Sequence, residues 1–254
     1  MALREVLQST GHRPYPLPIG SWLLTQWWDD LLFAHWPLPP AEIEPFLPPS
    51  LEPDVLDNQA WVAVVPFRMR GVRVHALPPY PFTANFLELN LRTYVRPRGR
   101  QTEEHPPGVY FWSLDANAPL AVWGARTLFH LNYLNANMSA PLSGGATHYQ
   151  SKRTHAGYPA ASLDCLYEPI PGPYSPTELD RWLTERYCLY TTDSRGHLYR
   201  GDIHHLPWTL KAAQASFYTN TLANAAGLNL PNEAPHLLYS RSIQVAIWPL
   251  RKLS

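Results

Sequence analysis

Charge is scarce in this chain. Only 16% of its 254 residues are Asp, Glu, Lys or Arg, and the two signs cancel at twenty each. Nucleic-acid recognition needs a basic footprint, so this balance argues against it. It also gives no support for binding to an anionic membrane surface. Cysteine is nearly absent: Cys165 and Cys188 form neither a disulfide framework nor a metal-ligand spacing, and buried reduced thiols are expected. No stretch approaches the ~20 apolar residues needed to span a bilayer. The opening MALREVLQSTGHRPYP carries Arg4 and Glu5 where a signal peptide needs an apolar run. A soluble, cytoplasmic protein is the expectation.

Familiar catalytic signatures are missing too. There is no G-x-S-x-G elbow, Walker loop, G-x-G-x-x-G or H-E-x-x-H, so no nucleotide cofactor and none of the commonest hydrolase designs is expected. Ser143–Gly145 reads as a turn. In DIHH, Asp202 and His204 share one strand face with His205 opposite. Two ligands without a third make a poor site, so neither metal nor cofactor is expected. His148 and His155 read as surface residues.

What the chain has in quantity is proline, 28 residues, and tryptophan, 10. Proline is excluded from helix interiors and central strands, which predicts short elements and long shaped loops. Residues 1–13 suggest a short helix, 25–38 and 60–74 strands (the second with a bend at Pro66), and 39–51 a short helical turn. A loop over 97–107 leads to a strand at 108–116, close enough to pair with the strand before it as an antiparallel hairpin. Spacings of three and four predict a helix over 120–135. Strands follow near 147–157 and 161–170. SPTELDRWLTERY predicts a helix capped by Ser175, with Pro176 in the first turn and Glu178 closing a capping box; Leu179, Trp182 and Leu183 form its buried stripe. A hairpin turning at 194–196 comes next. Residues 207–228 are ambiguous between helix and strand, and 238–250 read as a final strand. The fold class is α+β, mostly antiparallel β, in one domain over 1–254 with a core at about 22–250 and residues 1–21 as an N-terminal extension.

FLELNLRTYV, residues 86–95, alternates strictly. Leu87, Leu89, Leu91, Thr93 and Val95 lie on one face; Phe86, Glu88, Asn90, Arg92 and Tyr94 lie on the other. The leucine face needs a core. The polar row faces either water or a cavity. Same-face neighbours are ~6.7 Å apart along a strand, so Glu88 and Arg92 are separated by about 13 Å and cannot pair comfortably with each other. A fold that buries them must supply a partner or a ligand for each.

Seven blocks in order, among them LLFAHWPLPPAEIEPFLPPSLEPD, AWVAVVPFRM, FLELNLRTYV, GVYFWSLDA, FHLNYLNANM, LTERYCLYT and IHHLPWTL, resemble the YqjF-like family of bacterial proteins, a domain of unknown function. They run over most of the chain. The resemblance implies a fold similar to acetoacetate decarboxylase: a strongly bent, barrel-like antiparallel sheet around a small-molecule pocket. Acetoacetate decarboxylase forms a Schiff base on one of two adjacent lysines, a short way after a Gly-Arg-Glu stretch. With Arg126 as the anchor, those lysines fall on Tyr133 and Leu134, neither of which can form an imine. The resemblance thus implies a pocket without that chemistry. Glu88 is the candidate general acid or base and Tyr133 the hydrogen-bond donor to a carbonyl oxygen. Asn90, Arg92, Arg126, His35 and His130 are the candidate ligand-binding residues. Lys152 is the alternative site for a relocated nucleophile. The expected partner is a small carboxylate or carbonyl compound, turned over or, alternatively, only sensed or carried; a homo-oligomer is compatible with all of this.

Overall fold

The structure is a computed structural model that describes residues 3–77, 85–99 and 105–253. Residues 100–104 of the expected 97–107 loop lie outside the described residues. The strands in chain order are β1 (Leu24–Leu38), β2 (Leu51–Pro53), β3 (Ala60–Val74), β4 (Phe86–Pro97), β5 (Gly108–Ala116), β6 (Tyr133–Ser139) and β7 (Leu142–Ser143). They continue with β8 (Ala146–Arg153), β9 (Ser162–Pro169), β10 (Cys188–Thr192), β11 (Leu198–His204), β12 (Leu210–Asn220), β13 (His236–Ile247) and β14 (Arg251–Lys252). The helices are α1 (Leu3–Gln8), α2 (Pro40–Ile43), α3 (Pro119–Phe129), α4 (Glu178–Thr184) and α5 (Leu222–Ala225).

The ladders close on themselves twice. One ring of seven strands runs β1–β3–β4–β5–β10–β11–β13 and back to β1. A second ring of nine runs β1–β3–β4–β5–β6–β8–β9–β12–β13. The two share the wall β13–β1–β3–β4–β5, so each shared strand presents one face to each interior. That explains why nearly every residue of β4 is buried, polar row included. Leu89, Leu91 and Val95 pack with Tyr149, Leu163, Cys165 and Tyr167 inside the nine-strand ring. Ala63, Val65, Phe67 and Met69 of β3 join Leu31, Phe33 and Trp208 inside the seven-strand ring.

Two local features make this double closure feasible. β1 changes the side its residues face at Asp30, which adopts φ +51 beside a register shift against β3. Leu24, Gln26 and Trp28 before it, and Leu31 and Phe33 after it, consequently line the same interior. Asp30 is held there by the Tyr239 hydroxyl at 2.8 Å and by Arg68 at 3.3 Å. The seven-strand ring closes through a parallel β5–β10 contact at Val109–Leu189 and Tyr110–Tyr190. Gly108 permits it: a Cβ at that position would stand 2.7 Å from the Cys188 sulfur and 2.8 Å from its carbonyl oxygen.

Several expected boundaries shift. The helix near 120–135 ends at Phe129, because His130 takes φ +49 and turns the chain into β6. The cap of α4 is Thr177 rather than Ser175. Its hydroxyl accepts from the Asp180 amide, and Asp180, rather than Glu178, returns the bond to the cap. The ambiguous 207–228 stretch is strand β12 followed by the short α5. Pro66 sits inside β3 opposite Leu89, with no break in the strand. Both cysteines are free and buried. Among the described residues no helix is long and apolar enough to cross a membrane, and no cluster of three or more His, Cys, Asp or Glu is arranged to hold a metal ion. Asp202 is instead ion-paired with Arg200, and the His204 ring meets the Val6 carbonyl at 2.8 Å.

Candidate functional site

The seven-strand ring encloses a cavity of about 310 Å³. β4 contributes Phe86, Glu88, Asn90 and Arg92 to its wall, all from the row opposite the leucines, and β6 contributes Tyr133. Apolar side chains make up most of the rest, with Trp28, Phe33, Phe67 and Trp208 prominent. One side of α3 roofs the cavity through Leu120, Ala121, Gly124, Ala125 and Leu128.

Glu88 is 2% exposed. Burial raises its carboxyl to about 8, and hydrogen bonds from Tyr133 and Asn90 oppose that rise. The Tyr133 hydroxyl donates to its Oε2 at 2.8 Å. Burial and the adjacent carboxyl also hold the Tyr133 phenol well above its ordinary value, so it stays a donor. Tyr133 reaches Glu88 because β6 runs parallel to β5 with Tyr133 opposite Leu114, and Glu88 lies opposite Ala116 on β5's other side.

Arg92 is buried and belongs to none of the ion pairs found among the described residues. Its guanidinium carbon lies 5.5 Å from the Phe33 ring centre and 5.8 Å from that of Tyr94. A second cation, Arg186, also lines the cavity, but Asp54 holds it at 2.6 Å. His205, also in the wall, is neutral: burial drives it down to about 3. Among the described residues Arg92 is therefore the wall cation without a carboxylate partner, beside a Glu88 that is mostly protonated at neutral pH.

Some of the buried polar atoms without a hydrogen-bond partner lie in this wall. Trp28 Nε1, Asn90 Oδ1, Arg92 Nε, Arg186 Nη2 and His205 Nε2 all belong to residues of this wall. Leaving such an atom unpaired costs about 1–3 kcal/mol, a cost that water or a polar guest in the cavity would relieve.

The structure brings Glu88, Asn90, Arg92 and Tyr133 together; the other expected site residues are elsewhere. His35 is fully buried behind Tyr94, its Nε2 2.8 Å from the Tyr94 hydroxyl, and burial lowers it well below its usual value. Arg126 faces away from the cavity, donating to the Tyr133 carbonyl at 2.8 Å and the Tyr158 hydroxyl at 2.7 Å; it fixes the turn into β6. His130 is exposed at the end of α3, where its carbonyl accepts from Thr191 at 2.6 Å. The chain's three lysines, Lys152, Lys211 and Lys252, are all exposed, and none lines the cavity. Arg186 is not among the expected site residues, and His205 enters the sequence reading only beside Asp202 and His204 as a metal ligand. Arg186 looked like the end of a helix, yet α4 stops at Thr184, and Arg186 and Cys188 alternate onto the cavity as the chain enters β10.

Residues 25–244 match the family model DUF2071, described as an uncharacterized conserved protein. A relative, "Uncharacterized protein YqjF" of Bacillus subtilis (strain 168), is 45% identical over 240 residues, covering 94% of this chain and 96% of its own. Among solved structures, the acetoacetate decarboxylase of Legionella pneumophila superposes with a TM-score of 0.60 at 11% identity, over 98% of this chain and 95% of its own. The enduracididine biosynthesis enzyme MppR, complexed with the condensation product of pyruvate and imidazole 4-carboxaldehyde, superposes at 0.61 with 13% identity, covering 92% and 91%. At these identities the likeness establishes the acetoacetate decarboxylase-like fold and nothing about ligands. The chain belongs to the DUF2071 family of uncharacterized conserved proteins, together with YqjF.

Proposed function

We propose that the protein binds a small carboxylate or carbonyl compound inside the seven-strand ring and catalyses proton transfer on it without a Schiff base. One observation carries the reading: a buried guanidinium, Arg92, with no carboxylate partner among the described residues shares a cavity wall with an acid raised to about 8. Guanidinium matches carboxylate geometry, and a buried unpaired one is stabilised by an anionic guest. An acid whose pKa lies near the working pH is present in both forms and can take or give a proton. In this scheme Arg92 anchors the anion and Asn90 orients it. Glu88 moves the proton at the carbon or oxygen of a carbonyl, and Tyr133 donates a hydrogen bond to Glu88 or to the carbonyl oxygen. The pyruvate condensation product named for the MppR complex is consistent with an anion site in this fold.

Calorimetric titration with pyruvate and acetoacetate tests the anchor. Arg92→Gln is expected to weaken binding at least tenfold, as befits a charge-assisted pair worth about 1.5–3 kcal/mol; equal affinity in the variant defeats the proposal. Acetoacetate should release no carbon dioxide above background, and borohydride should trap no adduct, because the lysines are all outside the cavity. A trapped lysine adduct overturns that part. Sensing or carriage without turnover uses the same groups. Exchange of pyruvate methyl protons in D2O, followed by NMR, separates the two: Glu88-dependent exchange marks an enzyme, and binding without exchange marks a carrier.

A further inference from the structure

Resting on that reading of Arg92 as the anchor, we infer that the ligand is a monocarboxylate bearing an aryl or branched apolar body of several carbons, and not a short keto acid. Three observations converge on this class.

The first is charge. Arg186 is ion-paired with Asp54, Glu88 is mostly protonated at neutral pH, and His205 is uncharged, so among the described residues Arg92 is the wall cation left without a carboxylate. One negative charge satisfies it. A dianion would leave a second carboxylate in a wall of aromatic and aliphatic side chains, which burial penalises heavily.

The second is size. A cavity of about 150 Å³ accommodates benzene, six non-hydrogen atoms. At the same ratio a cavity of about 310 Å³ holds a guest of about twelve. A three-carbon acid would occupy half of it and leave Trp28, Phe33, Phe67 and Trp208 facing a void. These four rings are mutually packed: Trp28 and Trp208 stack at 6.1 Å, Phe33 meets Trp208 edge-on at 5.0 Å, and Trp28 lies 5.8 Å from Phe67. Aromatic walls of this kind favour offset or edge contacts with a ring.

The third is the mouth. Leu120 and Leu128 of α3 line the cavity and are 59% and 69% exposed, so the apolar lining continues to the surface. A carboxylate head at Arg92 leaves its apolar body directed along this lining.

Tryptophan fluorescence provides a direct readout, since Trp28 and Trp208 are in the wall. The probes are 3-phenylpropionate, its neutral amide, benzylmalonate as the matching dianion, and pyruvate. The monocarboxylate is expected to bind at least tenfold more tightly than each of the other three. Arg92→Gln should remove most of that advantage over the amide. Ala125→Phe, which narrows the roof from a helix, should weaken 3-phenylpropionate at least fivefold while changing pyruvate affinity less than twofold. If pyruvate binds as tightly as 3-phenylpropionate and both depend on Arg92, the size inference is wrong and the anion site stands. If benzylmalonate wins, the charge inference is wrong. If no acid binds and Arg92→Gln changes nothing, the reading on which this rests falls with it. Thermal melts of both variants show whether each is folded; should Ala125→Phe not fold, Ala121→Leu carries the same test.

Discussion

Replacing Glu88 with glutamine is expected to stabilise the protein by about 2–3 kcal/mol at pH 9 and to leave it nearly unchanged at pH 5. The folded carboxyl is raised from 4.5 to about 8. Between those two values the folded chain holds a proton that the unfolded chain has released. Stability therefore falls as pH rises through this window and levels off above it. At 1.36 kcal/mol per unit the full shift is roughly 5 kcal/mol, and water entering around the ionised form lowers the net cost to about half. Glutamine has nearly the same volume, still accepts from Tyr133 and does not ionise. Melting temperatures at pH 5, 7 and 9 provide the test: the variant should gain about 4–12 °C at pH 9, using about 2–4 °C per kcal/mol for a chain of this size. Proton exchange on pyruvate should vanish in the same variant. Higher stability with lost function is the signature of a strained working group. A variant that melts lower than the parent at pH 9, or keeps its pH slope, would show that Glu88 is a structural acid.

How far the sequence revealed this site depends on the range of each interaction. The alternation of 86–95 and of 108–116 identified β4 and β5 and their antiparallel pairing because both signals are local. It also separated Glu88, Asn90 and Arg92 from the leucine face. Whether that row met water was undecidable locally. The answer depends on β10 and β11 closing a second ring, through a parallel contact between residues about 80 positions apart that only Gly108 hints at. Tyr133 was reachable by analogy, although periodicity placed it in a helix. Nothing in LFHLNYL announces that His130 will adopt a left-handed turn. His35 shares its strand face with Phe33, and in isolation qualifies as a wall residue; the Tyr94 ring that stands before it belongs to another strand. Arg126 has the charge for an anion site, but its bonds to Tyr133 and Tyr158 use it to shape the loop. Residue type and face were legible, and which side of a closed ring each one meets was not.

Asp54→Asn is expected to destabilise the protein by about 3–5 kcal/mol, with part of the loss recovered by dicarboxylates. Asp54 is 3% exposed and serves two arginines, its Oδ1 taking Arg96 and its Oδ2 taking Arg186, each at 2.6 Å. An asparagine keeps the shape but loses the charge, and one of its two positions becomes a donor facing a guanidinium. Arg186, whose carbon sits 4.2 Å from the Trp182 ring centre and 5.0 Å from that of Tyr94, is then a buried cation without a counterion. Removing one partner of a buried pair costs far more than the pair itself contributes, which is why the expected loss is large. Arg186 also lines the cavity, so the variant's wall carries two uncompensated cations in place of one. The ligand preference should change accordingly: benzylmalonate should gain at least tenfold over its affinity for the parent, while 3-phenylpropionate changes little. Thermal melts with and without each acid measure both effects, because a ligand that binds only the folded state raises its melting temperature by an amount that grows with the logarithm of its affinity. If Asp54→Asn melts with the parent, the Arg186 pair is solvated and the charge count of the cavity is wrong. If it melts lower but acquires no preference for the dianion, Arg186 does not reach the guest, and Arg92 acts alone.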